Sequence, residues 1–238
     1  MEERIAAGLA AMGVPLPSPA APAMLARYGQ LLLEKNQVMN LTAITDPDKV
    51  ADLHFLDSAA LLTLEGVDFK GKRVIDVGTG AGFPGLPLKV LEPSISLTLL
   101  DSLGKRVNWL GEVCADLGLT DVDCVHARAE EQALEKRWRD SFDFAVSRAV
   151  ADLRVLTELC LPYVKPGGLF LSMKAVDCTE ELSGAAHAVS LLGGKVEALR
   201  DYEIPGAGVT HRVVLIRKTA PTPKGYPRRW AKLQKAPL

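Results

Sequence analysis

The stretch that decides how the chain is read is VIDVGTGAGFPGLPL, residues 74–88. β-Branched residues lead to an acid, Asp76, and Gly78, Gly80, Gly82 and Gly85 follow in close succession. The last three glycines fit G-x-G-x-x-G, after a predicted strand and before a predicted helix opening at Pro84, the setting that motif requires. Glycine lets the chain turn sharply and lets a ligand reach the backbone with no Cβ in its way. The free N–H groups of the following helix suit an anion, either a pyrophosphate or the carboxylate of an amino-acid-like ligand. Asp101, nineteen residues after Gly82, ends the next predicted strand. A carboxylate there can accept from both ribose hydroxyls of a nucleoside. Its other reading is an N-cap for a helix beginning near Lys105, a role open equally to Ser102. Together the two features predict a nucleoside-containing ligand across the carboxyl ends of the first strands, without naming the nucleoside.

Outward from this loop the texture is regular. RVIDV, SLTLLD, VDCVHA, FDFAVSR and GLFLSM are short β-rich runs separated by helical stretches. Such alternation predicts a mostly parallel sheet with helices on both faces. KVEALRDYEI and HRVVLIRK follow, joined by a connection too short for a helix, so they are expected to pair as an antiparallel hairpin at the sheet edge. Before the sheet the chain reads as helical. A short helix closes at Gly13, and the Pro-rich PLPSPAAP connects it to an amphipathic helix from Ala23 to about Val38. NLTAIT is a turn or short extended piece, and Asp46 caps a helix running to about Leu64 with Pro47 at its first position. The expected organisation is a helical extension over 1–70, an α/β domain over 71–218 and a basic tail over 219–238. The tail is expected to lie across the surface or to be partly mobile.

Composition narrows the function classes. The chain is 238 residues long and 48% hydrophobic, enough for one substantial core. No apolar window reaches membrane-span length and the N-terminus is acidic, so a cytoplasmic protein without a membrane partner is expected. Cys114, Cys124, Cys160 and Cys178 are scattered, without a C-x-x-C pair, which predicts free thiols and no metal site. The four histidines, at 54, 126, 187 and 211, show no catalytic spacing and read as structural. Net charge is −1, yet the residues from Arg217 onward hold seven cations and no acid, so the rest carries −8. Phosphate contacts suit such a tail, and Tyr226 and Trp230 among its cations suit stacking on a base. The plainer alternative is a solubilising tail whose aromatics pack back on the domain.

Two features favour a methyltransferase over a dinucleotide oxidoreductase. The first strand ends in Asp76 with an additional Gly78 after it, and the sheet is expected to end in an antiparallel edge preceded by a Pro-Gly-Gly turn. S-Adenosylmethionine-dependent methyltransferases of the Rossmann-like class I fold look like this, with a seven-stranded, mostly parallel sheet. The segments NLTAI, HFLDS, DVGTGAGFPGLPLK, LLDSLGKR, SRAVADL and KTAPTPKGYPRR together resemble the bacterial 16S ribosomal RNA guanine-N7 methyltransferase G family, the glucose-inhibited division protein B family. The resemblance runs from about Tyr28 to Arg229. It implies methyl transfer from S-adenosylmethionine to N7 of a guanine in the decoding-region loop of 16S rRNA, with naked RNA, an assembly intermediate and the full small subunit all open as the substrate form. It implies cofactor contacts at Gly78 and Phe83, ribose and adenine-side contacts at Asp101, Ser102 and Leu103, an adenine contact at Ala129 and Glu130, and a further site residue at Arg148.

Guanine N7 carries no proton, so its methylation needs no general base, and the lack of an evident His/Asp dyad fits. Alignment of the reacting atoms and exclusion of water are what such a site must supply, with Phe83 and Leu103 as candidates for its apolar part. A cation beside N7 would hinder, so Arg148 reads as a positioning residue for a carboxylate, a base O6 or a phosphate. Its alternative is an ion pair with a helix carboxylate such as Asp152. Lys174, Arg228 and Arg229 are candidate RNA contacts, Lys174 alternatively capping its strand at the surface. The competing functions are a dinucleotide-dependent oxidoreductase, a non-catalytic RNA-binding module, and a methyltransferase with another acceptor. A monomer is expected.

Overall fold

The computed structural model describes residues 1–148 and 151–238. Ala149 and Val150, in the middle of SRAVADL, lie outside the described residues. The helical preface opens with α1 (Glu2–Ala11) and, after the Pro-rich connector, α2 (Ala21–Met39). Leu25, Tyr28 and Leu32, spaced by three and four, form the buried stripe of α2. Asn40 ends this helix in the left-handed conformation, at φ 49°.

The single helix expected between Asp46 and Leu64 is a compound run instead. It consists of α3 (Pro47–Val50), a π-helical turn (Ala51–Leu56), α4 (Asp57–Ala59) and a 3₁₀ turn (Ala60–Thr63). Asp46 does cap it, accepting from the N–H groups of Asp48 and Lys49. Nearly every side chain from Val50 to Leu61 is buried, polar Asp52, His54, Asp57 and Ser58 among them. A segment enclosed on all sides carries no apolar stripe, so periodicity could not register the widened turn.

The sheet follows as β1 (Arg73–Val77), α5 (Gly85–Leu91), β2 (Ser96–Asp101), α6 (Gly104–Asp116), β3 (Val122–His126), α7 (Ala129–Gln132), β4 (Phe142–Arg148), α8 (Leu153–Cys160), β5 (Val164–Ala175), α9 (Thr179–Leu191), β6 (Gly194–Ile204) and β7 (Val209–Lys218). All seven expected strands are present. The strand order is β3-β2-β1-β4-β5-β7-β6, and β7 runs antiparallel to both neighbours while the other pairs are parallel. The hairpin is therefore the edge, as its short connection required. Chain direction across the sheet reverses between β1 and β4, the place where open α/β sheets bind ligands.

Alternate strand residues separate two cores. Val74, Leu99, Val146 and Leu171 join the helical preface, whereas Ile75, Leu100, Ala145 and Phe170 join α8 and α9. The tail is ordered across the second face. The Arg139 guanidinium donates to the carbonyls of Thr222, Pro223 and Tyr226, and Leu233 of α10 (Trp230–Lys235) is fully buried. All four cysteines are free, and no helix among the described residues is long and apolar enough to cross a membrane.

Candidate active site

The carboxyl ends of β1, β2 and β4 open on one cavity of about 450 Å³. Its floor is the glycine loop. Gly78, Gly80 and Gly82 all take positive φ (71°, 59° and 92°), a region that disfavours any side chain. Asp76 holds the loop from beneath. Its Oδ2 accepts from the Thr79 hydroxyl (2.7 Å) and from the Gly85 N–H at the start of α5 (2.8 Å). Complete burial pushes this carboxyl up to about 6 against the pull of those two hydrogen bonds. The acid after the strand is thus a loop organiser.

Asp101, at the end of β2, is 5% exposed and lines the cavity. Its Oδ2 accepts from Gly80 N–H (2.9 Å) and its Oδ1 from Leu103 N–H (2.8 Å). A carboxylate has about four lone-pair sites, so two remain for a ligand. Neither Asp101 nor Ser102 caps α6 with its side chain; Leu103 is the residue at that position. Ser102, Ala129 and Glu130 line the same side of the cavity. Glu130 accepts from Arg128 Nε (3.0 Å), and the Ala129 carbonyl accepts from the Tyr163 hydroxyl (2.7 Å). Leu103 is not brought in: its side chain is 51% exposed and lies outside the cavity wall.

The opposite wall is aromatic and charged. Phe83 is sandwiched between Tyr28 (ring centroids 5.3 Å apart) and His54 (4.6 Å), and the Arg148 guanidinium lies 5.0 Å from its centroid. The Tyr28 hydroxyl donates to the Ala81 carbonyl, so the preface clamps the glycine loop directly. Arg148 does not pair with Asp152, which caps α8 and binds Arg154. Its Nη1 donates instead to Asp57 Oδ2 and to the Leu53 carbonyl, both at 2.8 Å. Asp57 Oδ1 also accepts from the Tyr202 hydroxyl (2.7 Å) and from His211 Nδ1 (2.8 Å). Burial works to raise the Asp57 carboxyl, but the His211 hydrogen bond, the Arg148 charge and the Tyr202 hydroxyl outweigh it, leaving it below the usual carboxylate range. Burial, and then the Arg148 charge, push His54 down to about 3, so its ring is neutral.

The candidate RNA contacts divide. Lys174 is 10% exposed and donates to Glu181 and to the Ala151 carbonyl (2.7 Å each). Arg228 is held by the fully buried Glu158, through its backbone N–H and its guanidinium. Both cations are occupied within the fold. Arg229 is exposed, and its neighbour Trp230 lines the cavity with Arg128 5.5 Å from its ring centroid. Sequence reasoning missed Thr42 and His54 on one wall and Arg106 and Arg128 on the other, all of which border the cavity. His54 was legible only as part of HFLDS, because a lone histidine without partner spacing gives no chemical signal.

The chain matches the family model GidB, rRNA small subunit methyltransferase G, over residues 22–205. It is 49% identical over 214 residues to the ribosomal RNA small subunit methyltransferase G of Alkaliphilus oremlandii, covering 90% of this chain and 89% of that one. It is 45% identical to the Clostridium perfringens protein of that name, over 89% of this chain and 88% of the other. Among solved structures, a SAM-dependent methyltransferase from Aquifex aeolicus superposes with a TM-score of 0.54 at 20% identity, covering 76% of this chain and 97% of that one. TrmN from Thermus thermophilus gives 0.52 at 24%, covering 68% and 48%. These two likenesses concern the fold: a class I S-adenosylmethionine-dependent methyltransferase sheet with a helical N-terminal addition.

Proposed function

The chain belongs to the ribosomal RNA small subunit methyltransferase G family, and from that premise we propose that it methylates N7 of a guanine in the decoding-region loop of 16S rRNA. Its cofactor is S-adenosylmethionine, and its activity is cofactor-dependent methylation of ribosomal RNA. The cavity suits that cofactor. A Cβ placed at Gly80 would meet nothing nearer than the Gly78 carbonyl at 4.0 Å, so the loop leaves room for a ligand against bare peptide. Asp101 keeps two acceptor sites for ribose hydroxyls, with Ser102, Ala129 and Glu130 beside it, while Gly78, Phe83 and Arg148 would bound the remainder. When bound, the cofactor supplies an electrophilic methyl group on a sulfonium.

One observation carries the N7 reading: the cavity's histidine is unable to act as a base. Both ring nitrogens of His54 are engaged, and its proton affinity is far below neutrality. Asp101 and Glu130 stand at the ends of β2 and β3, where the cofactor's nucleoside is placed, and not beside the acceptor base. These residues favour a nucleophile that loses no proton, and guanine N7 is one. They also suit the charge that develops. A lone cation on this wall would oppose positive charge forming on the purine, but Asp57 neutralises Arg148 and His54 is uncharged. Phe83, backed by Tyr28 and Phe55, gives the same side of the cavity an apolar surface. Exposed Arg229 and the cavity-facing Trp230 are the tail residues proposed to approach RNA, by phosphate contact and by stacking.

The test is to incubate the protein with radiolabelled cofactor and undermethylated small subunits, then with naked 16S RNA, and to map the labelled nucleotide. Label at guanine N7 in the decoding region is expected. Absence of label from ribosomal RNA under both conditions would defeat the assignment, and binding of NADH in place of the demethylated cofactor would point to an oxidoreductase.

A further inference from the structure

We propose that the Thr42 hydroxyl is locked as a hydrogen-bond donor to O6 of the target base, and is therefore the group that admits guanine and rejects adenine. The inference rests on guanine N7 methylation as the reaction.

The lock is set by proton counting. Arg148 Nη2 lies 3.0 Å from His54 Nδ1, and a guanidinium has only donors, so Nδ1 must accept. The Leu53 carbonyl, 3.1 Å from the same nitrogen, accepts from Arg148 Nη1 and keeps a second lone pair, but a proton on Nδ1 directed there would leave Arg148 Nη2 without an acceptor among the described residues. The neutral ring therefore carries its one proton on Nε2. That proton points along the 2.8 Å contact to Thr42 Oγ1. The Ile44 N–H donates to the same oxygen at 3.0 Å. A hydroxyl has two acceptor sites and one proton. Both acceptor sites are filled, and among the described residues no acceptor takes the proton, although Thr42 borders the cavity.

The group is also fixed in place. Asn36 of α2 grips both sides of the Thr42 peptide unit: its Nδ2 donates to the Thr42 carbonyl and its Oδ1 accepts from the Thr42 N–H, each at 2.9 Å. The hydroxyl cannot exchange donor for acceptor without breaking one of these contacts.

The position suits the acceptor base. Thr42, His54 and Arg148 border the cavity on the β4 side of β1, whereas Asp101, Ala129 and Glu130 border it at the ends of β2 and β3, where the cofactor's nucleoside is placed. On its major-groove edge guanine shows N7 beside the acceptor O6, and adenine shows N7 beside the donor N6 amino group. With N7 turned toward the methyl group, the neighbouring substituent distinguishes the two purines. A hydroxyl that can only donate binds O6 and meets the adenine amino group proton to proton.

The experiment uses the whole protein with small subunits carrying guanine or 2-aminopurine, which lacks O6, at the target position. The wild type should methylate guanine N7 with a kcat/KM about ten-fold or more above that for 2-aminopurine, the value of one hydrogen bond to a desolvated partner. Thr42→Val should abolish that preference while calorimetric affinity for the demethylated cofactor stays unchanged, and Thr42→Ser should restore it. Because the preference is a ratio within each variant, a partly unfolded fraction cancels. An unaltered ratio in Thr42→Val, or loss of cofactor affinity instead, would overturn this inference alone. Label on any atom other than guanine N7 in the wild type would overturn the reaction and the inference together.

Discussion

The two walls of the cavity are held by different means. At β1 and β2 most contacts are nearer in sequence, spanning 2 to 21 residues, as from Gly85 to Asp76, Gly80 to Asp101 and Leu103 to Asp101, with Tyr28 reaching Ala81 across 53 the exception. On the β4 side they are long. Asp57 is reached by Arg148, Tyr202 and His211 across separations of 91, 145 and 154 residues. The first wall is a motif that any nucleoside-binding sheet could carry. The second needs the helical preface, β4 and the edge hairpin to meet, so it can be individual to one acceptor. If this division is real, the walls should fail separately.

The largest expected effect is on the long-range wall. Asp57→Ala removes the acceptor shared by Arg148, Tyr202 and His211 and leaves a mostly buried guanidinium uncompensated. Breaking a buried pair in this way costs about 3–5 kcal/mol. Denaturant titration should show a lowered midpoint, while calorimetry on the folded fraction should show a smaller loss of affinity for the demethylated cofactor than Gly80→Ala causes. Equal loss of cofactor affinity would show that the walls act as one unit.

The glycine loop gives the converse pair. Gly82 has φ 92°, and a Cβ there would meet the Tyr28 hydroxyl and, at 2.9 Å each, Leu86 and Leu110. Gly82→Ala should cost about 2–4 kcal/mol, combining the left-handed backbone with overpacking. At Gly80 the added methyl has open space around it. Gly80→Ala should cost about 1 kcal/mol in stability, from the backbone alone, yet weaken cofactor binding by occupying the cradle. Thermal melts and calorimetry on both variants separate the two outcomes. A Gly80→Ala protein with undiminished affinity would remove the loop from the cofactor site.

The same division explains what the sequence made legible. RVIDV through GLPL, and the acid closing β2, were readable because turn, strand and helix start are local and glycine marks positive φ. The antiparallel edge followed from the short connection between its two strands. Arg148 is found by family likeness, and the alternative ion pair looks to a nearby carboxylate such as Asp152 where the partner is Asp57, since sequence proximity is the only guide before folding. Lys174 and Arg228 read as solvent-facing cations, because nothing in a sequence shows that Glu181 and Glu158 come up to meet them. Thr42 and His54 gave no chemical signal at all: their roles depend on which proton each neighbour contributes.

The walls also differ in the sign of their pH dependence. Asp76, in the local wall, has its folded pKa raised from 3.8 to about 6. The folded state holds that proton more tightly, so its contribution to stability is full below 3.8 and is lost as pH rises through 6. His54, in the distant wall, is lowered from 6.5 to about 3. The unfolded state binds that proton more tightly, so the contribution is full above 6.5 and is lost as pH falls toward 3. Between pH 4 and 6 the two slopes, each at most about 1.4 kcal/mol per pH unit, oppose and largely cancel. His54→Gln should therefore lose stability relative to wild type as pH rises through this range, and Asp76→Asn should gain it. Melting temperatures of the three proteins at half-unit intervals suffice, and difference curves of the same sign would mean that the two groups do not carry opposite protonation linkage.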